Sequence, residues 1–356
     1  MTKLRNPITA IQEEAQRAAD APIRMSGITI KKAGRWVVDS MGRRRPDTYY
    51  HGLLTEGEIT VIFASTNVGK SIFCVQLAED LAHYGRVLYI DCELSDSQWE
   101  SRYADREAGL YHTFPETLDR AQVNLVDFQG ANIQEEMLKQ IEMCAEAGYK
   151  AIFVDNLTYL CNDSETGLTA GDFMIKLMRI KQRYESDRLT IIVVAHSPKR
   201  NGKEPITAND LAGSSRLMNF FDAGIAIGRS AKDPALRYVK QVKVRTGENH
   251  HDGSNVIIYR LVKTDAYLHF QFEGFDEEAN HLRPKGTAAD LEDLAEVIRL
   301  HGEGLSVRKI AKEMGISSTS VQRKLDKARD QGLLKEPSAV PGTSGDSPAP
   351  EEDLPE

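Results

Sequence analysis

One eight-residue stretch, Ala64-Ser65-Thr66-Asn67-Val68-Gly69-Lys70-Ser71, restricts the fold of this 356-residue chain more than any other. It comes after an apolar run, Ile59 to Phe63, and opens a helical pattern that extends from Lys70 to Tyr84. Strand, loop and helix in that order bring the N–H groups of the turn and of the helix's first turn to one point, where the helix dipole favours negative charge. Gly69 lets the backbone approach closely, Lys70 is long enough for the β- and γ-phosphates of ATP, and the Ser71 hydroxyl is suited to Mg2+. Ala64 stands where such loops usually carry glycine, and its methyl group is tolerated where φ is negative. Residues 64–71 are therefore the expected ATP-binding set.

From Glu58 to Ala195 the chain has the rhythm of a sheet covered on both faces. Strands are expected at Ile59–Phe63, Val87–Asp91, Val123–Asp127, Ala151–Asp155 and Thr190–Ala195, and helices at Lys70–Tyr84, Asn132–Ala147 and Gly171–Ser186. Continuous apolar strands between amphipathic helices indicate parallel pairing. From Asp222 the spacing shortens: Asp222–Gly228, Arg237–Val244, Val256–Leu261 and Tyr267–Phe272 succeed one another through short turns, as in an antiparallel extension of the same sheet. The expected fold class is α/β, a P-loop core with a mixed, mainly parallel sheet.

Three polar strand ends carry candidate chemistry. Asp155 closes Ala151-Ile152-Phe153-Val154, and a carboxylate ending a buried apolar strand is costly unless something uses it. Beside Ser71 that use is holding Mg2+. Glu93 lies just past Leu88-Tyr89-Ile90-Asp91, where sheet proteins of this kind place ligands, and is the expected acceptor of a proton from attacking water. Asp91 competes for that role, but it falls within the strand, where a structural use is expected. His196, after Thr190–Ala195, is placed to sense the γ-phosphate, with a structural loop histidine as the alternative.

The chain divides by composition. Residues 1–50 read as an arm, with helical character at Ile8–Ala19, an apolar and basic stretch at Ile28–Val38 and three consecutive arginines before Pro46. Residues 51–275 hold the P-loop domain, 276–286 a linker and 287–335 a small helical unit, either all-helical or winged. Residues 336–356 form an acidic tail with five prolines, expected to be disordered. In the helical unit, Leu305–Ser317 reads as a helix closed by a turn and Ser318–Asp330 as a second, with Ser306 and Ser317 as N-caps. Ile310, Ala311 and Met314 form one stripe, continued by Ile316, and Val321 with Leu325 forms another.

Net charge of -8 argues against a protein that coats nucleic acid, yet charge is segregated. Residues 305–335 hold eight Lys or Arg against three acids, and 336–356 hold six acids and no base. A basic module on an acidic protein has an electrostatic reason to meet phosphate. Neither a run of 18 apolar residues nor a basic-then-apolar leader occurs, so no membrane partner is expected. Four scattered cysteines, Cys74, Cys92, Cys144 and Cys161, lack metal-ligand spacing and read as reduced thiols, which points to the cytoplasm.

With these residues assembled, Gly52–Phe272 resembles the RecA-like ATPases, in particular the hexameric replicative helicases of the DnaB and plasmid RepA type. The resemblance makes 64–71 a Walker A motif, Asp155 the Walker B aspartate, Glu93 the catalytic glutamate and His196 the polar residue that couples phosphate state to DNA-facing loops. Asp210–Arg216, succeeded by Asp222-Ala223-Gly224, is similar to the segment before a later strand of that family. Lys243 and Arg245 resemble the pair projected into a neighbour's nucleotide site, which implies a homo-oligomer, a hexamer in this family. The large N-terminal helical domain of the bacterial replicative helicase has no counterpart, so primase recruitment through it is not expected. The unit at Leu305–Asp330 resembles a helix-turn-helix, which puts Ser318, Thr319, Ser320, Gln322, Arg323 and Lys324 at DNA. The expectation is an ATP-hydrolysing, DNA-associated motor, with helicase activity in a plasmid, phage or mobile element as one output. The alternative is an ATP-dependent switch that oligomerises without unwinding DNA.

Overall fold

The computed structural model describes residues 21–123, 132–156, 169–198, 200–211, 217–284 and 288–334. Two units are distinguished, Met1–Thr48 and Tyr49–Glu356. In the first, Ile23–Met25 pairs antiparallel with Ile28–Ile30. Helix α1 (Ala33–Met41) comes next and buries none of its residues. The apolar and basic stretch Ile28–Val38 is thus split between a strand and a helix, and the helical expectation for Ile8–Ala19 lies outside the described residues.

The second unit is built on nine strands: β1 (Ile59–Ala64), β2 (Val87–Asp91), β3 (Leu118–Gln122), β4 (Ala151–Asp155), β5 (Thr190–His196), β6 (Ala223–Arg229), β7 (Leu236–Val244), β8 (Val256–Thr264) and β9 (Tyr267–Asp276). Their spatial order is 9-8-7-6-1-5-4-2-3. Strands β6, β1, β5, β4, β2 and β3 run parallel, and β7, β8 and β9 continue antiparallel from β6. The central strands are buried on both faces, as their unbroken apolar sequence demands. Helix α2 (Lys70–Ala82) covers one face, packing Phe73 and Leu77 toward Ile62, Phe153 and Val194. Helices α4 (Ile133–Glu146) and α5 (Ala170–Arg183) cover the other, packing Ile141, Phe173 and Leu177 toward Val61, Ile152 and Val193. The alternation of these strand residues between the two clusters is the period of two that a pleated strand imposes.

Two strand expectations are corrected. The third strand is Leu118–Gln122, not Val123–Asp127. Val123 lies just past the strand, and residues 124–127 lie outside the described residues. As an edge strand it carries Asp119 and Arg120 partly buried and Gln122 exposed, so it lacks the apolar run that marks a central strand. The strand expected from Asp222 begins at Ala223 and pairs parallel to β1, so the antiparallel extension starts one strand later, at β7.

Helix α3 (Asp96–Tyr103) comes after β2 and opens with a capping box, in which Ser95 and Gln98 each accept from the other's backbone. The expected linker begins with packed structure. Glu278–His281 forms a 3-10 turn whose Glu278 and His281 are buried, Glu278 pairing with Lys240 and His281 lying 2.8 Å from Ser230 Oγ. Helices α6 (Ala288–Gly302), α7 (Val307–Met314) and α8 (Ser318–Asp330) then close a core of Val297, Leu300, Ile310, Ala311, Val321 and Leu325. No strand accompanies them among the described residues, so this module is all-helical there. Helix α7 ends at Gly315, with φ of 64°, and Ile316 N donates back to Ala311 O at 3.0 Å. Ser306 and Ser317 are the N-caps, and Ser317 Oγ accepts from Ser320 N at 3.1 Å. Cys74 and Cys92 are buried and Cys144 partly so, whereas Cys161 and the tail at 336–356 lie outside the described residues. Among the described residues no helix is long and apolar enough to cross a membrane.

Candidate functional site

Parallel pairing brings the ends of β1, β5, β4 and β2 to one edge of the sheet. His196 is level with Ala64, and Asp155 with Asp91. Ala64 stays in strand conformation, so its methyl group costs the loop nothing. The turn is made by Asn67, with φ of 60°, and Gly69, with φ of 108°. Asparagine tolerates the left-handed region better than most residues, and Gly69 is needed for space as well. A Cβ there would stand 3.0 Å from two ring atoms of Phe270. Gly69 also leaves the first turn of α2 without a side-chain cap, so its N–H groups face the position that phosphate takes.

Two arginines without any motif to mark them in the sequence brace this loop from behind. Arg229 Nη2 donates to Asn67 O at 2.8 Å, and the buried Arg237 Nε donates to Val68 O at 2.7 Å. Burial lowers the Arg237 pKa to about 10, and Arg229 pushes it the same way.

Lys70 is largely buried. Its Nζ lies 3.4 Å from Ser65 O and 3.1 Å from His196 Nδ1. Burial, more than any neighbour, holds its pKa below the usual lysine range. An ammonium group has no lone pair, so Nδ1 of a neutral His196 must be the acceptor and Nε2 carries the proton. That N–H faces Glu93 Oε1, 3.5 Å from Nε2. The contact with His196 is the largest influence holding the Glu93 carboxyl below its ordinary pKa. Glu93 keeps 40% of its side chain exposed, as a group that meets water requires.

Asp91 is used up structurally. Its Oδ1 accepts from Glu93 N and Leu94 N at 3.0 and 2.9 Å, and its Oδ2 accepts two bonds from Arg120. Asp155 is buried. Tyr89 Oη donates to its Oδ2 at 2.5 Å, while Oδ1 is enclosed without a hydrogen-bond partner. Desolvation pushes its carboxyl upward, and the nearby hydroxyls of Ser71 and Tyr89 oppose that shift.

This geometry has a counterpart among known proteins. Residues 33–202 match the family described as AAA domain. The chain carries a P-loop NTP hydrolase domain of the AAA type. Such a domain uses ATP with a divalent cation, and the residues of this ATPase domain fit one. The enclosed Asp155 Oδ1 needs a partner, and Ser71 lies beside it on the first turn of α2.

Solved structures similar to the chain include the flagellar accessory protein FlaH from Methanocaldococcus jannaschii. It is 15% identical, with 71% of this chain and 98% of that one covered and a TM-score of 0.43. A KaiC-like protein from Pyrococcus horikoshii OT3 is 13% identical, with 63% and 92% covered and a TM-score of 0.43. Comparison with curated proteins gives no match.

Lys243 and Arg245 are not brought to this ATPase site. Val244 pairs with Ala223, which pairs with Thr60 near the start of β1, whereas the loop leaves the other end of that strand. Within the chain, Lys243 Nζ donates to Met218 O at 2.8 Å and Arg245 Nη1 to Asp222 Oδ1 at 2.8 Å. Of the segment Asp210–Arg216, residues 212–216 lie outside the described residues.

The second module also has a counterpart, since residues 283–328 match the helix-turn-helix domain of resolvase. Ser318, Thr319, Gln322 and Arg323 are exposed on α8, and Ser320 partly so. Lys324 differs from the expectation. It is 17% exposed and faces Asp293 of α6 at 3.5 Å, so it is turned toward the module's own packing. Lys327 and Arg329 are exposed on the same helix.

Proposed function

We propose that the protein is an ATP-hydrolysing switch that self-associates and uses its helix-turn-helix module to sit on duplex DNA. In the hydrolytic step, Glu93 takes a proton from water as the water oxygen bonds to the γ-phosphorus. The bond to the β–γ bridging oxygen breaks, releasing ADP and phosphate. Lys70 would offset the charge of the phosphates while the loop amides donate to them, Ser71 and Asp155 would hold a Mg2+ that draws charge from the γ-phosphate, and His196 would report the γ-phosphate to the loop behind it.

The observation that carries this reading is where that loop goes. Arg283 N, at the entry to the module, donates to Gly202 O at 2.8 Å. Ile206 N donates to Glu278 Oε1 at 2.8 Å, and Lys203 Nζ faces Asp293 Oδ2 at 3.5 Å. Asp293 also faces Lys324 of α8. A shift of the strand end at His196 would then pass along the chain to these hydrogen bonds and ion pairs, which reach α8. The charge of that helix and the match of its module to a resolvase domain support duplex DNA as the partner. Self-association is the reading that the resemblance of Lys243 and Arg245 to a pair serving a neighbour's nucleotide supports, and these residues lie too far along the sheet to serve their own chain's phosphates. A cytoplasmic setting accords with the buried thiols of Cys74 and Cys92.

The motor reading rests on the likeness to replicative helicases and uses the same site. Purified protein, ATP and a forked duplex separate the two. The switch hydrolyses ATP faster with duplex present and leaves the strands paired, and ATP-dependent strand separation would overturn it.

A further inference from the structure

Asn156 stands directly after Asp155 at the end of β4 and is 1% exposed. Its Nδ2 donates to Glu93 Oε1 and lies 3.1 Å from His196 Nε2. The shorter of the two contacts, to the carboxylate of Glu93, calls for the amide nitrogen as donor here. The amide nitrogen of Asn156 thus stands between the His196 ring and the Glu93 carboxylate. Both groups face Glu93 Oε1, Asn156 through a hydrogen bond and His196 across 3.5 Å.

We infer that Asn156 is a positioning residue for hydrolysis: with His196 it anchors Oε1 of Glu93, fixing the carboxylate so that Oε2 is the atom presented to water. This rests on the reading of Glu93 as the base. The physical reason is rotational. Glu93 lies on a loop just past β2, with a side chain of three torsions, 40% of it exposed. Left free, it would spend most of its time away from the attacking geometry, and a displacement of about 1 Å costs on the order of 100-fold in rate. Asp91 fixes the Glu93 backbone through its N–H, and Asn156 fixes the far end of the side chain. Asn156 is itself held by the sheet, where Asp155 O accepts from Cys92 N at 2.7 Å.

The test is a double-mutant cycle in the full-length protein, read as single-turnover ATP hydrolysis and as binding of a fluorescent ATP analogue. Asn156→Ala is expected to slow hydrolysis by about 10- to 100-fold with analogue affinity changed less than about threefold. Asn156→Asp keeps the shape but removes the donor and sets a second carboxylate against Glu93, so it should be at least as slow as Asn156→Ala. In a Glu93→Gln background, Asn156→Ala should slow the residual reaction little further, because its effect passes through the carboxylate. Full activity in Asn156→Ala, retained activity in Asn156→Asp, or losses that multiply in the double variant would each overturn the positioning role. Unchanged turnover in Glu93→Gln alone would instead remove the base assignment on which it rests.

Discussion

At the residue scale, the site is a set of strand ends whose side chains differ in what is left for them to do. Asp91 has two backbone N–H groups and a guanidinium on its oxygens, and Glu93 keeps part of its side chain in water. Glu93→Gln should therefore keep ATP affinity and lose roughly 100-fold or more of its turnover, because the amide takes no proton. Asp91→Asn should act mainly on stability, seen as a lower melting temperature. A folded Asp91→Asn protein with the larger loss of turnover would reverse the order of the two acids. Lys70→Ala should abolish hydrolysis, and an unaffected rate would remove the loop from the mechanism. Asp91 and Glu93 are legible in the sequence because they close an apolar run, and Lys70 because it completes the eight-residue loop after one. Asn156 and Tyr89 are not, since their meaning lies in partners 63 and 66 positions away in sequence, Glu93 just past β2 and Asp155 at the end of β4.

At the element scale, the parallel core is legible because two-sided burial writes itself as continuous apolar sequence. The edge strand β3 is not, because one-sided burial leaves no such run. The start of the linker hides a packed turn for a related reason: Glu278 reads as a surface acid. In the fold it is 2% exposed, pairs with Lys240 and accepts from Ile206 N, tying the chain before the module to β7 and to the loop beyond β5. Lys240→Met should destabilise the protein by about 3 kcal/mol or more, because it leaves a buried carboxylate without its cation. Urea unfolding checks this, and a loss below about 1 kcal/mol would mean that water reaches the pair. On α8, Arg323→Ala should weaken duplex binding and flatten its salt dependence, while Lys324→Ala, facing Asp293, should change the salt slope less. Equal slopes for the two variants would return Lys324 to the DNA face.

At the scale of the whole molecule, two relations matter: between chains, and between the ATPase site and the helix-turn-helix. The first is tested by mixing Arg245→Ala subunits with Glu93→Gln subunits. Neither should turn over ATP alone, and activity should partly return in the mixture if an arginine serves its neighbour's phosphates. Continued inactivity after confirmed subunit exchange would place Arg245 in its structural pairing with Asp222 alone. The second relation is the central one, because the proposed switch depends on the route from His196 through Gly202 and Lys203 to Asp293. The direct measurement is the affinity of full-length Glu93→Gln protein for a short duplex with ATP bound and then with ADP bound, at one fixed salt concentration. The account predicts affinities that differ by at least about fivefold, the lower end of ordinary coupling between sites, with the difference reduced in Asp293→Ala. Equal affinities in the two nucleotide states, with both nucleotides shown to be bound, would contradict it.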